Sequence, residues 1–248
     1  IYENCPNDEF RNTFKLPEYI YKMIENNWLG SKTDGGFYKR IKDENGKSTI
    51  LSLNFETLEY SPVKKVTFET ISKARKISKV IDRFSVLIEG QDKAGEFYRF
   101  NFGTMFSYIQ NRIPEISNEL YRIDDASRAG FGWKNGPFQI WDSLGLKKGV
   151  EIMESLGYKP ADWVSDMISN NINNFYKVEN GITNYYDINT KTFIPKPGQG
   201  SLIILNNLNK SSIVWENTDS VIKDIGDGVI NLEFRTKMNT LGQGVLMG

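Results

Sequence analysis

The stretch MIENN at residues 23–27 returns as MISNN at 167–171, and three further echoes follow in the same order. Phe-Tyr-Lys at Phe37 returns at Phe175, Glu-Asn-Gly at Glu44 returns at Glu179, and TLEYSP from Thr57 is echoed by TKTFIP from Thr190. The offset shrinks from 144 to 133 along the match, as a shortened loop would produce. Ordered echoes of this kind predict duplication of one building unit. Between Leu16 and Asn27 the apolar residues Leu16, Ile20, Met23 and Ile24 recur at helical spacing, and Pro17 suits a first turn. From Phe37 an alternating strand runs into a turn at Asp43–Gly46 and a β-branched return strand, with Pro62 closing the unit. In the second copy Asn180-Gly181 supplies the strongest hairpin turn in the chain. The repeated unit is thus expected to be a helix plus a hairpin.

Helices are expected between the copies. Residues 67–88 read as a basic helix with Ile71, Ala74, Ile77 and Ile81 on one face and Lys73, Lys76 and Lys79 in water. Residues 93–120 read as one long buried helix, stepping through Phe102, Met105, Ile109, Ile113, Ile116 and Leu120, with a bend near Asn111 and Arg112 because Pro114 removes a backbone bond. The stretch GFGWKNGPFQIWDSLG, residues 130–145, holds four aromatics and four glycines. Gly136 and Pro137 suit a cap and first helical position, Gly145 suits the residue past the end, and the aromatics suit a seam between helices. LKKGVEIMESLG and KPADWVSDMISNN add two more helices, divided at Gly157 and Pro160. Beyond Gly200 the character changes to a polar linker and a two-stranded ribbon around Gly226-Asp227-Gly228, too small to stand alone. The expected fold is mainly α with small β-hairpins, divided at 1–66, 67–205 and 206–248.

The composition excludes whole classes of chemistry. There is no histidine, so no Ser-His-Asp triad, Cys-His pair or His-ligated zinc can form within the chain. Thirty-one basic residues balance thirty-one acidic ones, so no global field draws it to nucleic acid or an anionic membrane. The single cysteine, Cys5, has no internal partner and reads as a reduced thiol of a cytoplasmic protein. No apolar run is long enough to span a bilayer. The paired acids Asp124 and Asp125 read as helix-cap residues rather than as a catalytic dyad. The start at Ile1, in polar material without a methionine, suggests a piece of a longer polypeptide.

IDDASRAGFGWKNGPFQIWDSLGL resembles the helical C-terminal domain of NAD-dependent 3-hydroxyacyl-CoA dehydrogenases, which carry a similar acidic helix start, Gly-Phe-Gly and Gly-Pro-Phe. WLGSKTDGGFYKR resembles the end of an earlier copy of the same domain, an order found in members with two such domains in tandem. SVIKDIGDGVINLEFRTKMNTLG is similar to the opening of an enoyl-CoA hydratase (crotonase) domain fused behind them. The resemblance implies a bifunctional parent of fatty-acid β-oxidation or a related acyl-CoA pathway, in which this segment shapes the acyl-CoA cleft and the packing of domains or subunits.

The same resemblance implies that the working groups lie elsewhere. The family's Gly-x-Gly-x-x-Gly turn for NAD and its Glu-held histidine are not in this sequence, so NAD is expected to bind outside the segment and the segment alone to be inactive. Asn111, in QNRIPE, matches the motif of the family's asparagine, though in the second copy, and is the one catalytic candidate. The segment matching Arg235 to Leu241 lies near the coenzyme A adenine in the hydratase family, which makes Lys237 and Met238 the substrate-binding candidates. Gly35 and Gly36 lack the Gly-Lys-Ser/Thr ending of a phosphate loop and suit a tight turn. Expected partners are an acyl-CoA substrate and, as an option, further copies of the chain, with no metal and no nucleic acid. The competing expectation is a non-catalytic helical assembly or dimerisation module.

Overall fold

The computed structural model describes residues 2–33, 35–42 and 46–248. Of the turn expected at Asp43–Gly46, residues Asp43, Glu44 and Asn45 lie outside the described residues, and with them the Glu44 echo. The chain divides into two compact units, residues 1–68 and 69–248.

In the first unit α1 (Glu18–Glu25) starts directly behind Pro17, whose fixed φ suits the approach to a helix. It leads to an antiparallel meander of β1 (Tyr38–Lys42), β2 (Ser48–Leu53) and β3 (Tyr60–Pro62). The Tyr60 hydroxyl donates to the Gly36 carbonyl at 2.6 Å while its ring meets Trp28 edge-on, tying the meander to the segment leaving α1.

The second unit begins with α2 (Glu69–Ala74), α3 (Arg83–Glu89) and α4 (Lys93–Asn111). The single basic helix expected over 67–88 is therefore two helices: Arg83 turns its guanidinium back onto the Ile77 carbonyl at 2.7 Å and holds the break. The lysines of that stretch are solvent-exposed, as expected. The long helix expected over 93–120 is interrupted where the bend was expected, near Asn111 and Arg112, but it ends there rather than bending on. Proline offers no N–H and drives the residue before it out of the helical region. Leu120 then opens α5 (Leu120–Phe131), and Ile116 is exposed in the connection. After α6 (Pro137–Leu144), α7 (Leu146–Ser155) and α8 (Asp162–Ser169) comes a second meander, β4 (Tyr176–Glu179), β5 (Ile182–Asp187) and β6 (Thr192–Pro195).

Residues 206–248 form β7 (Ile213–Glu216), β8 (Ser220–Gly226), β9 (Val229–Phe234) and the short α9 (Gln243–Leu246). The expected two-stranded ribbon is thus a three-stranded sheet, because the linker supplies β7, whose pairing to β8 slips between Ile213 and Trp215. Glu233 lies in β9 and pairs with the buried Lys223 of β8 at 3.0 Å; the same ammonium donates to the Leu205 carbonyl at 2.9 Å. About 39% of the chain is helical and each sheet has three antiparallel strands, so the class is mixed rather than mainly α.

The two helix-and-meander segments correspond in detail. α1 and α8 have equal lengths at an offset of 144, and each is followed by an asparagine, Asn27 or Asn171, at φ 57°. The strand registers Tyr38↔Ser52 and Leu51↔Pro62 reappear as Tyr176↔Tyr185 and Asn184↔Pro195. Leu53 N–H donates to Phe37 at 2.9 Å as Tyr186 N–H does to Phe175 at 2.8 Å.

Candidate functional site

The Gly-Pro-Phe stretch fixes the centre of the second unit. Gly136 occupies the cap position of α6 and Pro137 its first turn, so neither brings a side-chain acceptor for the free N–H groups of Phe138 and Gln139. Asp124, from the middle of α5, supplies it: its carboxylate accepts Phe138 N–H at 2.8 Å and Gln139 N–H at 3.2 Å. A methyl at position 136 would fall on the Asp124 side chain, so only glycine lets α5 and α6 approach this closely. The expectation that Asp124 is a cap residue holds, but the helix it caps is α6, fourteen residues on, rather than its own.

Asp142, near the other end of α6, accepts the backbone N–H groups of Phe175 and Tyr176 at 2.7 and 2.9 Å, and the Tyr176 hydroxyl donates to Asp124 at 2.8 Å. Two carboxylates and one phenol thereby clamp α5, α6 and the start of β4. Loss of water raises the Asp124 carboxyl to about 6 against the pull of its three donors. Burial likewise raises Asp142 to about 7, opposed by its two N–H donors and reinforced by the charge of Asp124. Burial, then Asp124, pushes the Tyr176 phenol upward. Asp125 differs: burial pushes it up, but Lys196 at 2.9 Å and Arg128 outweigh that and hold it below its usual range.

Around the clamp Phe106 stacks on Trp141 at 4.7 Å, and Phe175 meets both Phe138 and Trp141 edge-on at 5.0 Å. Two of the four aromatics of residues 130–145, Phe138 and Trp141, thus fill the seam as expected. Phe131 and Trp133 do not: they are exposed at and just past the end of α5, where the chain leaves that helix at Gly132 in the left-handed region. Asp124 is 1% exposed and its carboxylate is taken up by three donors of the chain itself, so the arrangement positions chain segments.

The candidates taken from the sequence lie elsewhere. Asn111 is the exposed last residue of α4. Its buried neighbour Gln110 ties that helix end to the start of α8, donating to the Lys159 carbonyl at 2.9 Å and accepting Ala161 N–H at 2.8 Å. Lys237 and Met238 are exposed in a single 3-10 turn after β9, where Met238 takes φ 61°. The candidates therefore occupy two separate elements, neither belonging to the clamp. Sequence reasoning missed Asp142 and Tyr176; the available signal was a helix start, Gly-Pro, that carries no acceptor of its own.

A Rossmann crevice needs parallel strands joined by a glycine-rich turn into a helix, and among the described residues every strand pairing is antiparallel. Among the described residues there is also no cluster of metal-binding side chains, and no helix is long and apolar enough to cross a membrane.

No protein-family model matches the chain, and no solved structure does. Curated relatives do. The chain is 30% identical over 246 residues, 99% of its length, to a Bacillus subtilis protein named "Probable 3-hydroxyacyl-CoA dehydrogenase", of which it spans 30%. Two proteins named "Putative fatty acid oxidation complex trifunctional enzyme" match as well: one of Rickettsia prowazekii at 27% over 146 residues, 59% of this chain and 18% of the relative, and one of Rickettsia felis at 28% over 134 residues, 54% and 17%. The chain spans less than a third of the length of each of these relatives. Along nearly all of its length the chain is therefore similar to a stretch of a protein named as a 3-hydroxyacyl-CoA dehydrogenase.

Proposed function

We propose that this chain is the helical scaffold of an NAD-dependent 3-hydroxyacyl-CoA dehydrogenase of cytoplasmic fatty-acid oxidation, within a bifunctional polypeptide that also carries an enoyl-CoA hydratase. The observation that carries this reading is the end-to-end similarity to the Bacillus subtilis protein at 30% identity. Residues 1–66 close a first helical C-terminal-type domain, residues 67–205 form a second, and residues 206–248 lead into the hydratase.

In this reading NAD binds to parts of the polypeptide outside the segment, as the resemblance implies. The segment walls the acyl-CoA cleft and holds neighbouring domains in place. Asn111 is the one residue of the segment that the resemblance offers for a catalytic role, and the exposed turn at Lys237 and Met238 its candidate for the adenine end of coenzyme A.

The test assays the full-length polypeptide separately for NADH-dependent reduction of acetoacetyl-CoA and for hydration of crotonyl-CoA. Both activities are expected. Reduction without hydration removes the hydratase from the proposal; absence of both leaves the assembly module as the better reading.

A further inference from the structure

The meander of the first unit is built to be covered, and the second unit shows by what. Phe175 is 0% exposed beneath Phe138 and Trp141 of α6, whereas its counterpart Phe37 is 51% exposed. Ile168 and Ile188 pack against the core of the second unit, whereas their counterparts Ile24 and Phe55 are exposed. One neighbour of Phe37 is repeated. Tyr19, at the position of Trp163, meets Phe37 edge-on at 6.4 Å as Trp163 meets Phe175 at 5.8 Å.

The backbone repeats the pattern. In the second unit Phe175 N–H and Tyr176 N–H are both taken by the Asp142 carboxylate. In the first unit Phe37 N–H has no acceptor among the described residues. The Leu53-to-Phe37 bond makes the next pair, Tyr38↔Ser52, one whose polar groups face outward, so Tyr38 N–H points off the open edge of β1. Two adjacent N–H groups beside an uncovered aromatic ring form the same receptor that α6 fills in the other copy.

We propose that a helix of the same polypeptide, on the N-terminal side of α1, seats on Phe37, Ile24 and Phe55 and caps the Phe37 and Tyr38 N–H groups with a carboxylate. Its chemistry is that of α6: two apolar rings three residues apart followed at once by an acid, as in Phe138, Trp141 and Asp142. Its place follows from the repeat. The helix matching α1 trails Asp142 within the second unit, and at the offset of 144 the counterpart of Asp142 falls before residue 1. The helix α6 of this chain is already engaged by Phe175, so it is not the occupant. The Bacillus subtilis relative, of which this chain spans 30%, has ample further length to supply such a helix.

The test uses the full-length polypeptide with the photo-crosslinker p-benzoylphenylalanine in place of Phe37. On irradiation the crosslink is expected on a helix upstream of residue 1, within about one turn, four residues, of an Asp or Glu. Crosslinks only within residues 2–248, crosslinks only to a second molecule, or none at all would each overturn the proposal. Amide hydrogen exchange on the unsubstituted full-length protein covers the case in which the substitution unfolds it. The Phe37 and Tyr38 amides are expected to be protected to within roughly tenfold of those of Phe175 and Tyr176; exchange at unprotected loop rates overturns the proposal. Both readouts are independent of dehydrogenase activity, so failure here and failure of the functional reading are distinguishable.

Discussion

Asp124 accepts the N–H of Phe138 at 2.8 Å across a contact that only a glycine at position 136 permits. One carboxylate thus replaces the cap that the Gly-Pro start of α6 lacks, and the same carboxylate receives the Tyr176 hydroxyl.

Asp124→Ala leaves three donors, the Phe138 N–H among them fully buried, without an acceptor and is expected to cost about 2–4 kcal/mol. Urea unfolding should show a lower midpoint at unchanged slope. Tyr176→Phe, which removes one donor and leaves the carboxylate its two N–H partners, is expected to cost about 1 kcal/mol. Equal losses for the two variants would mean that the clamp does not cap α6.

Gly136→Ala is expected to destabilise by about 1–3 kcal/mol, since the new methyl meets Asp124 across packed backbone. Gly130→Ala, in open space within α5, is expected to be neutral or to stabilise by about 0.5–1 kcal/mol. Thermal unfolding of the pair distinguishes a glycine required by packing from one that is not.

How much of this was legible in the sequence depends on the range of the interaction. The cap position of Gly136, the helical spacing behind Pro17 and the Asn180-Gly181 turn, with φ 50° and 77°, are local choices that the residues themselves dictate. The partner of Gly136 comes from another helix, and no pattern near residue 136 names Asp124. The break after Ala74 was hidden because the apolar spacing continues through Ile77 and Ile81, while the Arg83 guanidinium takes up a carbonyl at the break. Strand β7 escaped because IVWE is short and pairs irregularly. Asn111, Lys237 and Met238 were chosen by resemblance, and the fold places all three at the surface.

Stability should fall as pH rises from 4 to 7.5. The folded-state pKa values of Asp124 and Asp142, about 6 and about 7, lie above the ordinary 3.8, so the folded chain keeps protons that the unfolded chain has already released. Their contribution is full below pH 4 and is lost as pH passes through 6 to 7. Urea unfolding at pH 5 is expected to give a free energy roughly 1–3 kcal/mol above that at pH 7.5. Asp142→Asn should lower stability throughout and make that fall shallower. An unchanged slope would place the titration elsewhere.

Asn111→Ala in the full-length polypeptide is expected to leave turnover of acetoacetyl-CoA within about twofold, since the residue lies at the surface end of α4. A drop of about a hundredfold in kcat, the size of effect typical of a lost general acid, base or oxyanion donor, would make it catalytic.

The central claim is that this chain holds the reaction in place without performing it. Its most direct test is NADH oxidation with acetoacetyl-CoA by residues 1–248 alone, shown to be folded by circular dichroism, beside the full-length polypeptide. The account predicts turnover by the full-length polypeptide and only the uncatalysed background from the isolated chain. Hydride transfer by the isolated chain above that background would contradict it.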